Sequence, residues 1–266
     1  MARLQDKRLF LLDMDGTIYL DDRLFDGVAA FLERIREKGG RYLFLTNNSS
    51  RGVEDYIKKL AGMGIDAGRG DFLTSVDAAI DHLQRLYPGR RCYVQGTRSF
   101  YDQLAAAGID VTCDREGGAD ILLSGFDREL TFRKLEDACI LLGRGVTWLA
   151  TNPDWVCPTW YGSVPDCGSV CEMLTRATGR RPEFLGKPKP AMAELALRRT
   201  GYPAEAAAVI GDRIYTDIAC AVNAGIDSVF VLSGEGTRGD IETYGIRPTW
   251  VYDDINAVFR AWEDEL

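Results

Sequence analysis

Three short apolar runs, each ending in residues that can do chemistry, constrain this chain more than any other feature. Leu9-Phe10-Leu11-Leu12 runs into Asp13-Met14-Asp15-Gly16-Thr17, and Tyr42-Leu43-Phe44-Leu45 runs into Thr46-Asn47-Asn48. Ala207-Ala208-Val209-Ile210-Gly211 runs into Asp212, with Asp217 following. Continuous apolar runs of this length, bounded by polar residues, read as strands buried on both faces. Between them, Val28, Phe31, Leu32 and Ile35 recur at helical spacing until Gly39-Gly40 ends the helix, and Val53, Tyr56, Ile57 and Leu60 repeat the pattern. Ile218 to Val222 lies on a further helix and Ser228 to Leu232 on a further strand. Strand, helix, strand at these spacings implies right-handed crossovers and a largely parallel α/β sheet. Ligands of such sheets sit beyond the carboxyl ends of the strands, where Asp13, Thr46 and Asp212 stand.

The middle of the chain repeats the theme. Cys92 to Val94, Ile121 to Leu123 and Val146 to Leu149 read as strands, with helices around Phe100 to Ala107 and Phe132 to Leu142 between them. Spacing assigns this block. Asp15 and Thr46 leave room for one turn, one helix and one strand, whereas about 140 residues separate Thr46 from Lys187, far more than one crossover needs. At 266 residues the chain is long enough for two modules. The expectation is a discontinuous core of residues 1–74 and 185–266, with residues 75–184 inserted as a second α/β domain that covers the site as a cap.

A carboxylate cluster at strand ends repels itself. Two like charges about 4 Å apart cost roughly 4 kcal/mol at an effective dielectric of about 20. The cluster therefore calls for a cation and a basic residue. Hard oxygen donors favour Mg²⁺. The basic residue is available in Gly186-Lys187-Pro188-Lys189-Pro190, where the prolines stiffen a loop that lets Lys187 or Lys189 reach in.

Composition narrows the partners. A formal charge of −8 argues against holding a nucleic-acid backbone, which needs dense Lys and Arg. No apolar run approaches the roughly 18 residues of a membrane helix, and the Met1-Ala-Arg-Leu-Gln-Asp-Lys-Arg start is not a secretory signal. Seven scattered cysteines suit reduced thiols and a cytoplasmic protein. Cys157, Cys167 and Cys171 lack a Cys-x-x-Cys pair and a nearby histidine, so they read as buried or incidental thiols and not as metal ligands. The single histidine, His82, lies on a helix face between Val76 and Leu86 and reads as a surface residue, which argues against a histidine-based triad.

Asp13-Met14-Asp15-Gly16-Thr17, Thr46, Lys187 and Gly211-Asp212-Arg213-Ile214-Tyr215-Thr216-Asp217 resemble, in order and across nearly the whole chain, the four motifs of the haloacid dehalogenase superfamily. The resemblance implies a Rossmann-like parallel-sheet core with a large inserted α/β cap. Asp13 would be the nucleophile that forms an aspartyl-phosphate. Asp15 would protonate the leaving oxygen and then activate water. Thr46, the backbone amides near Asn47, and Lys187 would hold the phosphoryl oxygens, with Asn48 as a substrate contact. Mg²⁺ would be held by the Asp13 carboxylate, the Asp15 carbonyl and Asp212, with Asp217 positioning a metal-bound water or Lys187. Gly16 would permit the tight turn that brings Asp15 into range.

The insertion point, with Leu45-Thr-Asn-Asn-Ser-Ser and Ala150-Thr-Asn-Pro-Asp, resembles the NagD-type, 4-nitrophenyl phosphatase-like subfamily, which implies a small-molecule phosphomonoester substrate. Trp155, Trp160 and Tyr161 could stack on a sugar or aromatic ring; packing, or pairing of two copies through the cap as a homodimer, is the preferred reading. Cys157 stands where some mammalian relatives acting on pyridoxal phosphate have a histidine, which argues against that substrate. A dehalogenase needs no second acid at Asp15, and a phosphomutase of this superfamily commonly carries a small helical cap between the first two motifs, which this chain lacks. A phosphotransferase or phosphomutase of the same superfamily, or a non-catalytic binding module, remain the alternatives, while the absence of Gly-x-x-x-x-Gly-Lys-Ser/Thr excludes a P-loop enzyme.

Overall fold

The computed structural model of the chain describes residues 2–159 and 161–263. These divide into two compact units. The first comprises the described residues up to Thr46, Val53–Leu73, and the described residues from Lys187 onward; the second comprises Asn47–Gly52 and Thr74–Gly186.

The first unit is built on a six-stranded sheet in the order Trp250–Tyr252, Asp227–Val231, Ala207–Gly211, Leu9–Leu12, Arg41–Thr46, Phe72–Thr74. The first five run parallel. Leu9–Leu12 is central and buried along its whole length, as an apolar strand flanked by helices must be. From it the chain winds first towards Arg41–Thr46 and later returns on the opposite side at Ala207–Gly211. The switch in strand order therefore falls between Leu9–Leu12 and Ala207–Gly211, whose next residues are Asp13 and Asp212. Register places Leu12 opposite both Ile210 and Phe44, so Asp13 leaves the sheet level with Gly211 and Leu45.

The helix Val28–Glu37 buries Val28, Phe31, Leu32 and Ile35, the four positions picked out by their spacing. Phe31 meets Phe10 edge-on at 5.1 Å between ring centroids, and Trp262 of the helix Ile255–Glu263 meets Phe10 at 5.3 Å. Truncating a buried ring of this kind to alanine costs about 3–5 kcal/mol, so this aromatic cluster is a main anchor of the sheet that carries the site. The turn expected after Asp15 is a short antiparallel hairpin, Tyr19–Leu20 with Arg23–Leu24.

The second unit has its own parallel sheet, ordered Glu183–Phe184, Thr147–Ala150, Ile121–Ser124, Cys92–Gln95, Val111–Thr112. Its cores lie on the two sides of that sheet, one around Tyr93, Leu122, Trp148 and Leu174, the other around Val94, Phe100, Leu123 and Leu149. Thr74 opens the helix Ser75–Leu86 with reciprocal Thr74–Asp77 hydrogen bonds that satisfy the first-turn amides. His82 on this helix is half-buried, its ring 5.7 Å from Tyr87, and so is less of a surface residue than its position implied. Cys167 and Cys171 are buried with their sulfurs 3.9 Å apart, and all seven cysteines are free thiols. Trp155 and Tyr161 are exposed, flanking the antiparallel pair Val156–Thr159 and Gly162–Pro165, so neither is buried within the chain as packing alone would require, and Trp160 lies outside the described residues. No helix among the described residues is long and apolar enough to cross a membrane.

Candidate active site

Asp13, Lys187, Asp212 and Asp217 converge at the strand ends of the first unit. The Lys187 ammonium donates to Asp13 Oδ1 at 2.5 Å and to Asp217 Oδ1 at 2.6 Å, and lies 3.4 Å from the Leu45 carbonyl oxygen. Lys187, and not Lys189, is the lysine that reaches in: its side chain is 3% exposed, while Lys189 is exposed. Burial by itself lowers the lysine pKa, but Asp13 and Asp217 outweigh it and the ammonium is held charged.

One carboxylate oxygen from each of Asp13, Asp212 and Asp217 lies within 4.8 Å of the others, the arrangement of a cation site. Asp212 supports that reading most directly. Its Oδ2 accepts the Glu235 backbone N–H at 2.7 Å, whereas its Oδ1 is buried and finds no hydrogen-bond partner among the described residues. An unpaired buried carboxylate oxygen costs several kcal/mol unless something positive meets it. Hard oxygen donors of this kind fit a small divalent cation. Burial and then the Asp217 carboxylate push the Asp212 pKa up to about 6, against the Glu235 N–H, and the same two causes raise Asp13 well above the usual carboxylate range despite Lys187.

Local structure explains how the acids are aimed. After Ala207–Gly211 the chain enters a π-helical turn, Ile214–Ile218, that runs into the helix Ala219–Ala224. The Asp217 N–H donates to the Arg213 carbonyl at 3.0 Å and Asp217 Oδ2 accepts the Arg213 N–H at 3.1 Å, so the turn holds the carboxylate that its own backbone presents. Gly211 is required here, since a Cβ would fall 2.3 Å from Asp217 Cβ. Gly16 has φ +84°, and a Cβ on it would lie 2.5 Å from Asp212 Oδ2.

Asp15 stands apart from this cluster. Its side chain is 64% exposed, with Lys59 Nζ 3.8 Å from Oδ1 and the Tyr19 hydroxyl donating to Oδ2 at 3.4 Å. Thr46 ends its strand as a buried residue in the same unit. Asn47 and Asn48 belong to the second unit. There the Asn47 amide donates to Asp154 at 3.0 Å, and the Asn48 side-chain oxygen accepts from the Ser50 N–H and hydroxyl at 2.9 and 2.8 Å. Asn48 therefore closes a local turn.

Sequence reasoning missed a fourth strand end. The loop after Asp227–Val231 brings Ser233, Gly234 and Glu235 to the acids: the Ser233 hydroxyl donates to the Gly16 carbonyl at 2.7 Å, and a Cβ on Gly234 would fall 2.0 Å from Asp212 Oδ2. The signal was Leu232-Ser233-Gly234-Glu235-Gly236-Thr237, a glycine-rich stretch at the end of a strand already recognised.

Fold and site define an α/β enzyme whose carboxylate and lysine centre lies at a topological switch point. A family model described as haloacid dehalogenase-like hydrolase matches residues 10–110, and a second, HAD-hydrolase-like, matches residues 184–258. The acid sugar phosphatase of Staphylococcus aureus is 32% identical over 98% of this chain and 100% of its own. A 4-nitrophenylphosphatase from Thermotoga maritima superposes with a TM-score of 0.92 at 39% identity, covering 98% of this chain and 99% of the other. The glycerol phosphate phosphatase of Mycobacterium tuberculosis, solved in complex with magnesium, superposes with a TM-score of 0.90 at 32% identity, covering 97% of this chain and 78% of that one. The chain belongs to the haloacid dehalogenase-like hydrolases, in the NagD and 4-nitrophenylphosphatase branch, and is a phosphatase.

Proposed function

We propose that this protein hydrolyses small phosphomonoesters with Mg²⁺ through an aspartyl-phosphate on Asp13. The observation that carries the reading is the Lys187 ammonium seated between Asp13 and Asp217, beside an Asp212 oxygen that finds no partner among the described residues. Lys187 fixes the Asp13 carboxylate and neutralises charge as phosphorus is attacked. Asp13, Asp212, Asp217 and the Asp15 backbone carbonyl are the groups that would hold the cation. When bound, Mg²⁺ supplies charge neutralisation to the transferring phosphoryl group.

Asp13 attacks phosphorus, the ester oxygen departs, and the carboxylic acid of Asp15 gives that oxygen its proton. Asp15, now a carboxylate, takes a proton from the water that attacks the phosphoenzyme, and Asp13 is regenerated with release of phosphate. The exposure of the Asp15 side chain supports this role, because the acid must reach a group on the substrate. Thr46 is assigned to the phosphoryl oxygens by its place at the neighbouring strand end. The first unit carries the chemistry, and substrate selection is assigned to the second. The free thiols support a reducing, cytoplasmic setting.

Purified protein with 4-nitrophenyl phosphate and Mg²⁺ is expected to release phosphate and to stop when EDTA is added, with recovery on excess Mg²⁺. Undiminished turnover in EDTA would remove the metal from the account. Asp15→Asn is expected to lower kcat by about 10²–10⁴-fold and to slow both formation and breakdown of the phosphoenzyme. A variant slowed in one step alone would contradict the double role.

A further inference from the structure

Glu235 sits in the first unit, where its backbone amide, and not its carboxylate, meets an acid of the site. That N–H holds Asp212 Oδ2 at 2.7 Å. One side-chain oxygen, Oε2, forms an ion pair with Arg213 Nε at 2.9 Å, in which the Nε–H makes no hydrogen bond to any described residue, and the other accepts the Tyr215 hydroxyl at 2.9 Å. The loop is closed from the far side by the Gly236 N–H, which donates to the Asp212 carbonyl at 3.1 Å. Arg213, Tyr215 and Glu235 also line a cavity of about 240 Å³, so the latch has solvent behind it and acids in front.

Arg213 is the residue that makes this arrangement consequential. It follows Asp212 directly, and its side chain is only 19% exposed. Burial works against its charge, but Asp13, Asp212, Asp217 and Glu235 all favour the guanidinium, in that order. A guanidinium is a permanent cation with a fork matched to carboxylates. Left unpaired beside three acids, it would turn towards them and neutralise the oxygens that a divalent cation needs. Resting on the cation site proposed above, we propose that Glu235 is a positioning residue that withholds Arg213 from the Asp13–Asp212–Asp217 cluster and so keeps that cluster available to Mg²⁺. Tyr215 holds the second carboxylate oxygen and fixes the rotamer that does this.

Calorimetric titration of Mg²⁺ into the full-length, EDTA-treated and desalted protein tests the idea without reference to turnover. Glu235→Gln is expected to weaken Mg²⁺ binding by about 10-fold or more, the range seen when partners of metal ligands are lost. The double variant Arg213→Met/Glu235→Gln removes the competing cation as well, and affinity is expected to return to within about threefold of the wild type. A general loosening of the loop would give the opposite, a double variant weaker than the single one. Affinity of Glu235→Gln within about twofold of wild type, or a double variant no tighter than the single, would overturn the proposal. Should Glu235→Gln fail to give a cooperative melt, Tyr215→Phe decides: a weakening of a few fold supports the latch, and unchanged affinity refutes it. A folded wild type that takes up no Mg²⁺ would sink the cation site itself, a failure distinct from that of the latch.

Discussion

Asp13→Asn is expected to abolish hydrolysis of 4-nitrophenyl phosphate, with kcat falling on the order of 10⁵-fold or more, as when other covalent nucleophiles are removed. The amide keeps the shape of the side chain and an oxygen able to accept from Lys187, but it has no anionic lone pair to attack phosphorus. The same change should not cost stability in metal-free protein. Burial, then Asp217, then Asp212 act against an ionised Asp13, and Lys187 offsets them only in part, so the substitution removes a charge that the fold disfavours. Thermal melts in EDTA are therefore expected to show a Tm equal to or above the wild type. Activity within tenfold of the wild type would end Asp13's role as nucleophile, and a large fall in Tm would mean that the loss of activity reports unfolding.

Lys187→Met has the opposite signature, since both activity and stability should fall. The ammonium bridges Asp13 and Asp217 at 2.5 and 2.6 Å in a nearly closed site. Removing one partner of such a buried arrangement leaves uncompensated charge and costs about 3–5 kcal/mol. Loss of a positioned electrostatic donor costs a further factor of about 10²–10³ in kcat. Urea unfolding with and without Mg²⁺ separates the two contributions: saturating Mg²⁺ should restore part of the stability, because on the proposed reading a divalent cation would also meet the Asp13 and Asp217 oxygens, while kcat stays low. A Lys187→Met protein as stable as the wild type in EDTA would show that the acids are not held by this ammonium.

Much of the fold was legible because central parallel strands carry uninterrupted apolar runs. Leu9–Leu12, Arg41–Thr46 and Ala207–Gly211 are buried on both faces and stood out in the sequence. The helix positions of Val28, Phe31, Leu32 and Ile35 were legible for the same reason. The strands that went unread are short or at sheet edges. Trp250–Tyr252 is half-buried throughout, and Val111–Thr112 and Glu183–Phe184 are two residues each, too brief to show a period. The helix Cys167–Thr178 went unread, although Cys167 and Cys171 on it were read as buried or incidental thiols.

The grouping of the candidate residues was legible where an acid stands at the end of an apolar run, as at Asp13 and Asp212. It was not legible where a backbone group does the work. Glu235 acts on Asp212 through its N–H, and Gly234 through the absence of a side chain, features that composition and spacing do not display. The resemblance assigns the backbone amides near Asn47, and Asn48, to the phosphate; their side chains bond Asp154 and Ser50 within the second unit, and the assignment to the phosphate stays a proposal.

The direct test of the central claim is to mix the enzyme with Mg²⁺ and 4-nitrophenyl phosphate, quench in acid at intervals within a turnover, and map modified peptides by mass spectrometry. The expected result is the mass of one phosphoryl group on the peptide containing Asp13 in the wild type, and none in Asp13→Asn. A wild type that turns over substrate while that peptide stays unmodified at every quench time, or that carries the phosphoryl group on another residue, would contradict it.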